Sequence, residues 1–185
     1  RALALRALAI RSRILTENDV DLHLARHLLG SILYHCGDLR GALALQEKVV
    51  PALARILPAG HRYLWGARLN LAVVYQLTGE PVPAEANYLA ALKIDPDFTP
   101  ARANLAQFYS LRGEPEAAER VLAEGVARLP EQGELQYSLG LVMYQCLTGR
   151  PPFEDQTPAS LLRAVATARL RPLRSLRPGI SRAVE

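Results

Sequence analysis

The chain has 185 residues, half of them apolar and 22% charged, with 12 Gly, 13 Pro and two Cys. That is about one domain's worth of chain with enough apolar side chains to bury a core, and its composition excludes collagen-like, low-complexity and disulfide-scaffold classes. The net charge of +4 has a location: residues 1–147 carry 15 basic and 15 acidic side chains, whereas 148–185 carry seven Arg against Glu154, Asp155 and Glu185.

Three further function classes recede on the same reading. A nucleic-acid surface would interleave its basic residues with aromatic ones, and Phe153 is the sole aromatic of the basic segment, so no nucleic-acid partner is expected. The longest nearly uninterrupted apolar stretch, Leu139 to Leu147, is about half of what a membrane span needs. Cys36 and Cys146 stand far apart without a CxxC, which suits a reducing, cytoplasmic setting and no metal ribbon. The chain opens on Arg1 and stops at Glu185 without a start or an ending of its own, as a fragment would.

In chain order, helical periodicity predicts a lone helix over about 1–15, then pairs over 19–35 with 38–56, 61–77 with 81–93, and 99–112 with 115–128, and a further first helix over 133–147. Gly37, Gly79 and Gly113 close the first helix of each pair, 42 and 34 residues apart. Pro81 and Pro115 open second helices, where a missing N–H costs nothing. Residues 65–98 align on 99–132 without a gap: Asn70-Leu71-Ala72 on Asn104-Leu105-Ala106, Tyr75 on Tyr109, Gly79-Glu80-Pro81 on Gly113-Glu114-Pro115, Ala84 on Ala118 and Pro96 on Pro130. Upstream, the 42-residue step sets Ala25-Arg26 on Ala67-Arg68, Leu29 on Leu71, Gly30 on Ala72 and Gly37 on Gly79, and the chain thus begins inside a second helix. Each pair leaves an apolar face that only a stacked neighbour can cover.

This pattern resembles the tetratricopeptide repeat, and its longer units resemble those of kinesin light chains and their bacterial relatives. The resemblance implies an all-α, right-handed superhelix of antiparallel helix pairs over residues 1–147. The remainder, 148–185, reads as an Arg/Pro-rich helical tail. From Tyr137-Ser138-Leu139-Gly140 through Leu147-Thr148-Gly149-Arg150-Pro151-Pro152-Phe153, and on to Pro172-Leu173-Arg174, the text is similar to part of the C-terminal lobe of bacterial serine/threonine protein kinases. No catalytic motif accompanies it: GxGxxG, HRD and DFG are all missing, and Lys48 and Lys93 fall in repeat helices. The chain is therefore expected not to be an enzyme. The alternative to a free-standing array is a non-catalytic piece of a kinase that carries such repeats.

In arrays of this kind the first helix of each pair lines a concave groove. The positions that register there are His27, Ser31, Tyr34 and His35, then Asn70, Val73 and Gln76, then Asn104, Gln107 and Ser110, then Tyr137, Ser138, Leu141 and Tyr144. Asn70 and Asn104 share one register, and an amide there can donate and accept at once, which suits an extended peptide backbone. The expected peptide-binding set is Asn70, Asn104, Gln76, Gln107, Tyr34, Tyr137 and Tyr144, with a protein or peptide as partner, no cofactor and no metal. A carboxylate clamp is not expected, because the groove holds no Lys; Arg68 and Arg102 are the nearby cations. His23 and His27, four apart, lack the third ligand a metal would want. Trp65 and Tyr63 are expected to pack between units.

Overall fold

In a computed structural model of the chain, the structure describes residues 2–133 together with Tyr137, Gly140 and Leu141. Seven α-helices follow one another among the described residues: α1 Ala2–Ile14, α2 Val20–His35, α3 Leu39–Ile56, α4 Arg62–Thr78, α5 Pro81–Ile94, α6 Thr99–Leu111 and α7 Pro115–Arg128. Each predicted pair up to residue 128 is present, displaced at its ends by a residue or two. The expected helix over 133–147 falls largely outside the described residues, and the kinase-like tail over 148–185 wholly so.

The turns explain why the pairs form. Gly37, Gly79 and Gly113 adopt φ of 80°, 82° and 76°, a left-handed conformation that lets the chain reverse after a helix without a Cβ clash. Each is followed by the same closure: the N–H of Asp38, Glu80 and Glu114 donates to the carbonyl of Leu33, Tyr75 and Tyr109, at 2.9 Å in all three cases. Asp38 also caps α3, accepting from the Gly41 amide at 2.9 Å. Pro81 and Pro115 stand at the first positions of α5 and α7. Pro51 sits inside α3 and withholds one backbone N–H from that helix.

The chain divides into two compact units, Arg1–Leu105 and Ala106–Glu185, with the division inside α6. In the first unit α1 packs on α2, α2 on α3, α3 on α4 and α4 on α5. Two apolar clusters run through it. One joins Val49, Val50 and Leu53 of α3 to Leu64, Ala67 and Leu71 of α4. The other joins Leu29 and Leu33 of α2 to Ala42 of α3 and Val74 of α4, with Ala4 and Leu8 of α1 leaning on it. Ala42 and Ala84 are fully buried on the second helices of their pairs, and a side chain that small allows close approach where it lies. In the second unit Ala106, Phe108, Tyr109, Ala118 and Leu122 are buried in the same way, and Arg112 lies over the Phe108 ring at 5.1 Å.

A candidate peptide-binding site on the first helices of two pairs

The most organised polar cluster of the first unit joins α2, α3 and α4 through one imidazole. His27 Nδ1–H donates to Gln46 Oε1 at 3.1 Å, and His27 Nε2 accepts from Asn70 Nδ2 at 3.2 Å. The second amide proton of Asn70 goes to Ser31 Oγ at 3.2 Å. Ser31 donates in turn to the His27 carbonyl at 3.1 Å, and Gln46 Nε2 to the same carbonyl at 3.4 Å. Every member constrains the next, so the ring is held neutral with its proton on Nδ1. Burial pushes the His27 pKa below its ordinary value, and the hydrogen bond to Gln46 offsets only part of that.

Gly30 makes this cluster possible. A Cβ at Gly30 would lie 2.9 Å from Gln46 Nε2, so the glycine is the space into which a buried amide fits. Gln46 itself is 1% exposed, a burial that only a fully hydrogen-bonded amide tolerates. Among the described residues no buried side-chain nitrogen or oxygen lacks a partner.

Two hollows flank the cluster. A cavity of about 90 Å³ is bordered by Ser31, Tyr34 and His35 of α2 and by Asn70 and Val73 of α4. A larger one, about 330 Å³, lies between Leu24 and His27 of α2, Leu53 of α3, and Arg62, Tyr63, Trp65 and Gly66 of α4. The Trp65 and Phe98 rings meet tilted at 47° with centroids 4.0 Å apart, and the Arg62 guanidinium lies 5.2 Å from the centre of the Tyr63 ring. Among the described residues no carboxylate borders either hollow.

The expected binding residues separate on inspection. Asn70, Ser31, Tyr34 and Val73 do come together on the facing sides of α2 and α4. The amide of Asn70 does not donate and accept toward a ligand, however, because both its protons serve His27 and Ser31. Its Oδ1 makes no hydrogen bond among the described residues and is the acceptor left over. Gln76 is turned to its own pair: its Oε1 accepts from the Tyr88 hydroxyl at 2.8 Å. That phenol is 1% exposed, and burial together with the nearby Tyr34 raises its pKa. Asn104 is half-buried on α6, Gln107 is exposed, and Tyr137 is 46% exposed. Tyr144 lies outside the described residues.

The nearby cations are structural. Arg102 is 3% exposed and donates to the Pro96 carbonyl at 2.8 Å, and Arg68 donates to Asn87 Oδ1 at 3.3 Å. Arg26 forks onto both oxygens of Glu17, which holds that carboxyl below its usual range. His23 is buried and bonded to the Glu17 carbonyl at 3.0 Å, while His27 faces Gln46 and Asn70, so the two imidazoles serve different partners. Sequence reading missed Gln46 and Gly30. The signal was a polar residue and a glycine inside otherwise apolar stripes of α2 and α3.

Comparison with known proteins agrees with the fold. Two family models match, both described as the tetratricopeptide repeat, one over residues 24–63 and the other over 79–140. The fold is the all-α tetratricopeptide-repeat fold, and the chain carries such repeats along most of its described length. Among solved structures it is similar to a putative kinesin light chain of Podosopora anserina with nearly identical TPR-like repeats, at a TM-score of 0.70 and 22% identity, covering 90% of this chain and 83% of that one. It is also similar to BtubC (BKLC) from P. vanneervenii, at a TM-score of 0.66 and 18% identity over 97% of this chain and 74% of that one. A third is the first TPR of Spaghetti (RPAP3) bound to the HSP90 peptide SRMEEVD, at a TM-score of 0.56 and 16% identity over 69% of this chain and 95% of that one. No curated protein sequence matches the chain. Both family models end at or before residue 140, so they lend no support to the kinase-like reading of the tail.

Proposed function

We propose that the chain is a protein-interaction scaffold that holds an extended peptide or a partner helix against the facing sides of α2 and α4. The observation that carries this reading is the cluster on Asn70. The His27–Gln46–Ser31 network fixes the amide in place and spends both its protons, leaving one oriented acceptor beside a small hollow. A preset acceptor lowers the ordering cost of binding to that of the ligand. Asn70 would accept a backbone N–H of the partner, with Tyr34 and Val73 supplying side-chain contact. Asn104 shares the register of Asn70 in the next repeat, and Gln107, Tyr137 and Tyr144 are the further binding residues proposed from the sequence register. Gln76, whose Oε1 is taken by the buried Tyr88 hydroxyl, would contribute through its amide N–H groups. That the first TPR of Spaghetti (RPAP3) is bound to an HSP90 peptide supports the reading by likeness of fold.

The test is selection of a display library of short random peptides on the chain. Peptides should emerge whose binding falls about tenfold in Asn70→Ala, the worth of one hydrogen bond made in a partly shielded site. Peptides that bind Asn70→Ala and Asn104→Ala as tightly as the parent would overturn the assignment.

A further inference from the structure

Three glycines lie inside the helices of the first pairs, and two of them have a packing reason. A Cβ at Gly30 would meet Gln46 Nε2 at 2.9 Å, and one at Gly41 would meet Asp38 Oδ1 at 2.9 Å. Gly66, inside α4, differs: its φ is not positive, and a Cβ built there would meet nothing within 4 Å. Neither backbone conformation nor a neighbouring element asks for glycine, although glycine weakens a helix interior. Gly66 also borders the hollow of about 330 Å³, with Leu24, His27, Leu53, Arg62, Tyr63 and Trp65 around it, a volume at the small end of ligand sites.

We infer that Gly66 keeps open a specificity pocket for one large apolar side chain, such as Leu, Met or Phe, projecting from the segment held on α2 and α4. The occupant's chemistry follows from the walls. Leucine side chains, aromatic rings and the neutral His27 imidazole line the pocket, and no carboxylate borders it among the described residues. The formal charge at the rim is that of Arg62, which is exposed and leans on the Tyr63 ring. A Lys or Arg would enter against a like charge with nothing to pair it. The inference rests on the groove reading above and adds to it a position and a side-chain class.

Trp65 borders the pocket and is the single tryptophan of the chain, so its fluorescence reports occupancy directly. The probes are N-acetyl-phenylalaninamide, N-acetyl-leucinamide and N-acetyl-lysinamide, titrated into the full chain. The first two should give a saturable change and the third none. Gly66→Leu should weaken the phenylalanine probe by about tenfold or more while helicity is kept. Gly66→Ala should raise the melting temperature and weaken the same probe more modestly; it carries the test if the leucine variant does not fold. Absence of saturation, equal binding of the lysine probe, probe binding unchanged in both variants, or a lower melting temperature in Gly66→Ala would each overturn the inference. The two readings fail separately. Library peptides that depend on Asn70 but ignore Gly66→Leu leave the groove and remove the pocket, whereas probes that saturate while no peptide depends on Asn70 do the reverse.

Discussion

The three helix pairs solve one crossing in three chemistries. Gly30 and Gln46 of the α2–α3 pair stand 42 positions before Ala72 and Tyr88 of the α4–α5 pair, which stand 34 before Ala106 and Leu122. Gln46 and Tyr88 are each 1% exposed and Leu122 is fully buried, yet one is an amide, one a phenol and one a hydrocarbon. The amide is tolerated because His27 and the His27 carbonyl bond it and Gly30 makes room. The phenol is tolerated because its ring is buried apolar surface and its hydroxyl finds Gln76. The hydrocarbon needs no partner at all. The comparison teaches that the repeat prescribes burial at this position, while size and polarity there are decided by which neighbour can answer them. The pair with the most demanding answer is also the pair that presents the candidate site.

Exchanging the solutions should break the pattern most strongly where no answer exists. Leu122→Gln puts an amide where no His27 equivalent waits and removes a buried leucine, and the urea midpoint should fall by the equivalent of about 3–5 kcal/mol. The reverse exchange, Gln46→Leu, strips the acceptor from His27 Nδ1–H and should cost about 1–3 kcal/mol despite the added apolar surface. A neutral or stabilising result for Gln46→Leu would mean that the network contributes order at the site rather than stability. Tyr88→Phe keeps the ring and loses one hydrogen bond to a half-buried Gln76, so about 0.5–1.5 kcal/mol is expected.

The smallest effect is graded by pH. His27 is harder to protonate folded than unfolded, so the unfolded chain binds the extra proton as pH falls below the ordinary imidazole value of about 6.5. Stability from this group is complete above about that pH and is lost toward the lower folded-state value. Urea melts over that window should show a slope that shrinks in His27→Gln. A variant with the parent's slope would place the titration on another group.

Tyr75 offers a contrast within the same unit. Its hydroxyl donates to Glu47 Oε1 at 2.8 Å, and burial and that carboxylate push its pKa up to about 12. The contact ties α4 to α3 outside the helix crossings and does not titrate near neutrality.

The sequence by itself determined the helices and their pairing. Gly37, Gly79 and Gly113 announce the reversals because left-handed backbone has a residue-specific cost, and Pro81 and Pro115 announce the starts because proline forfeits only a donor that a helix does not use there. Alanine at the crossings announces close approach for the same local reason. Tertiary structure alone decided which polar side chains answer one another. Asn70 and Gln76 looked alike as groove amides, six positions apart on one helix, but His27 and Ser31 lie 43 and 39 residues from Asn70 in sequence, and Gln76 is captured by a phenol of its own pair. Hydrogen bonding depends on atoms meeting within a few tenths of an ångström across helices, and no periodicity along the chain encodes that distance.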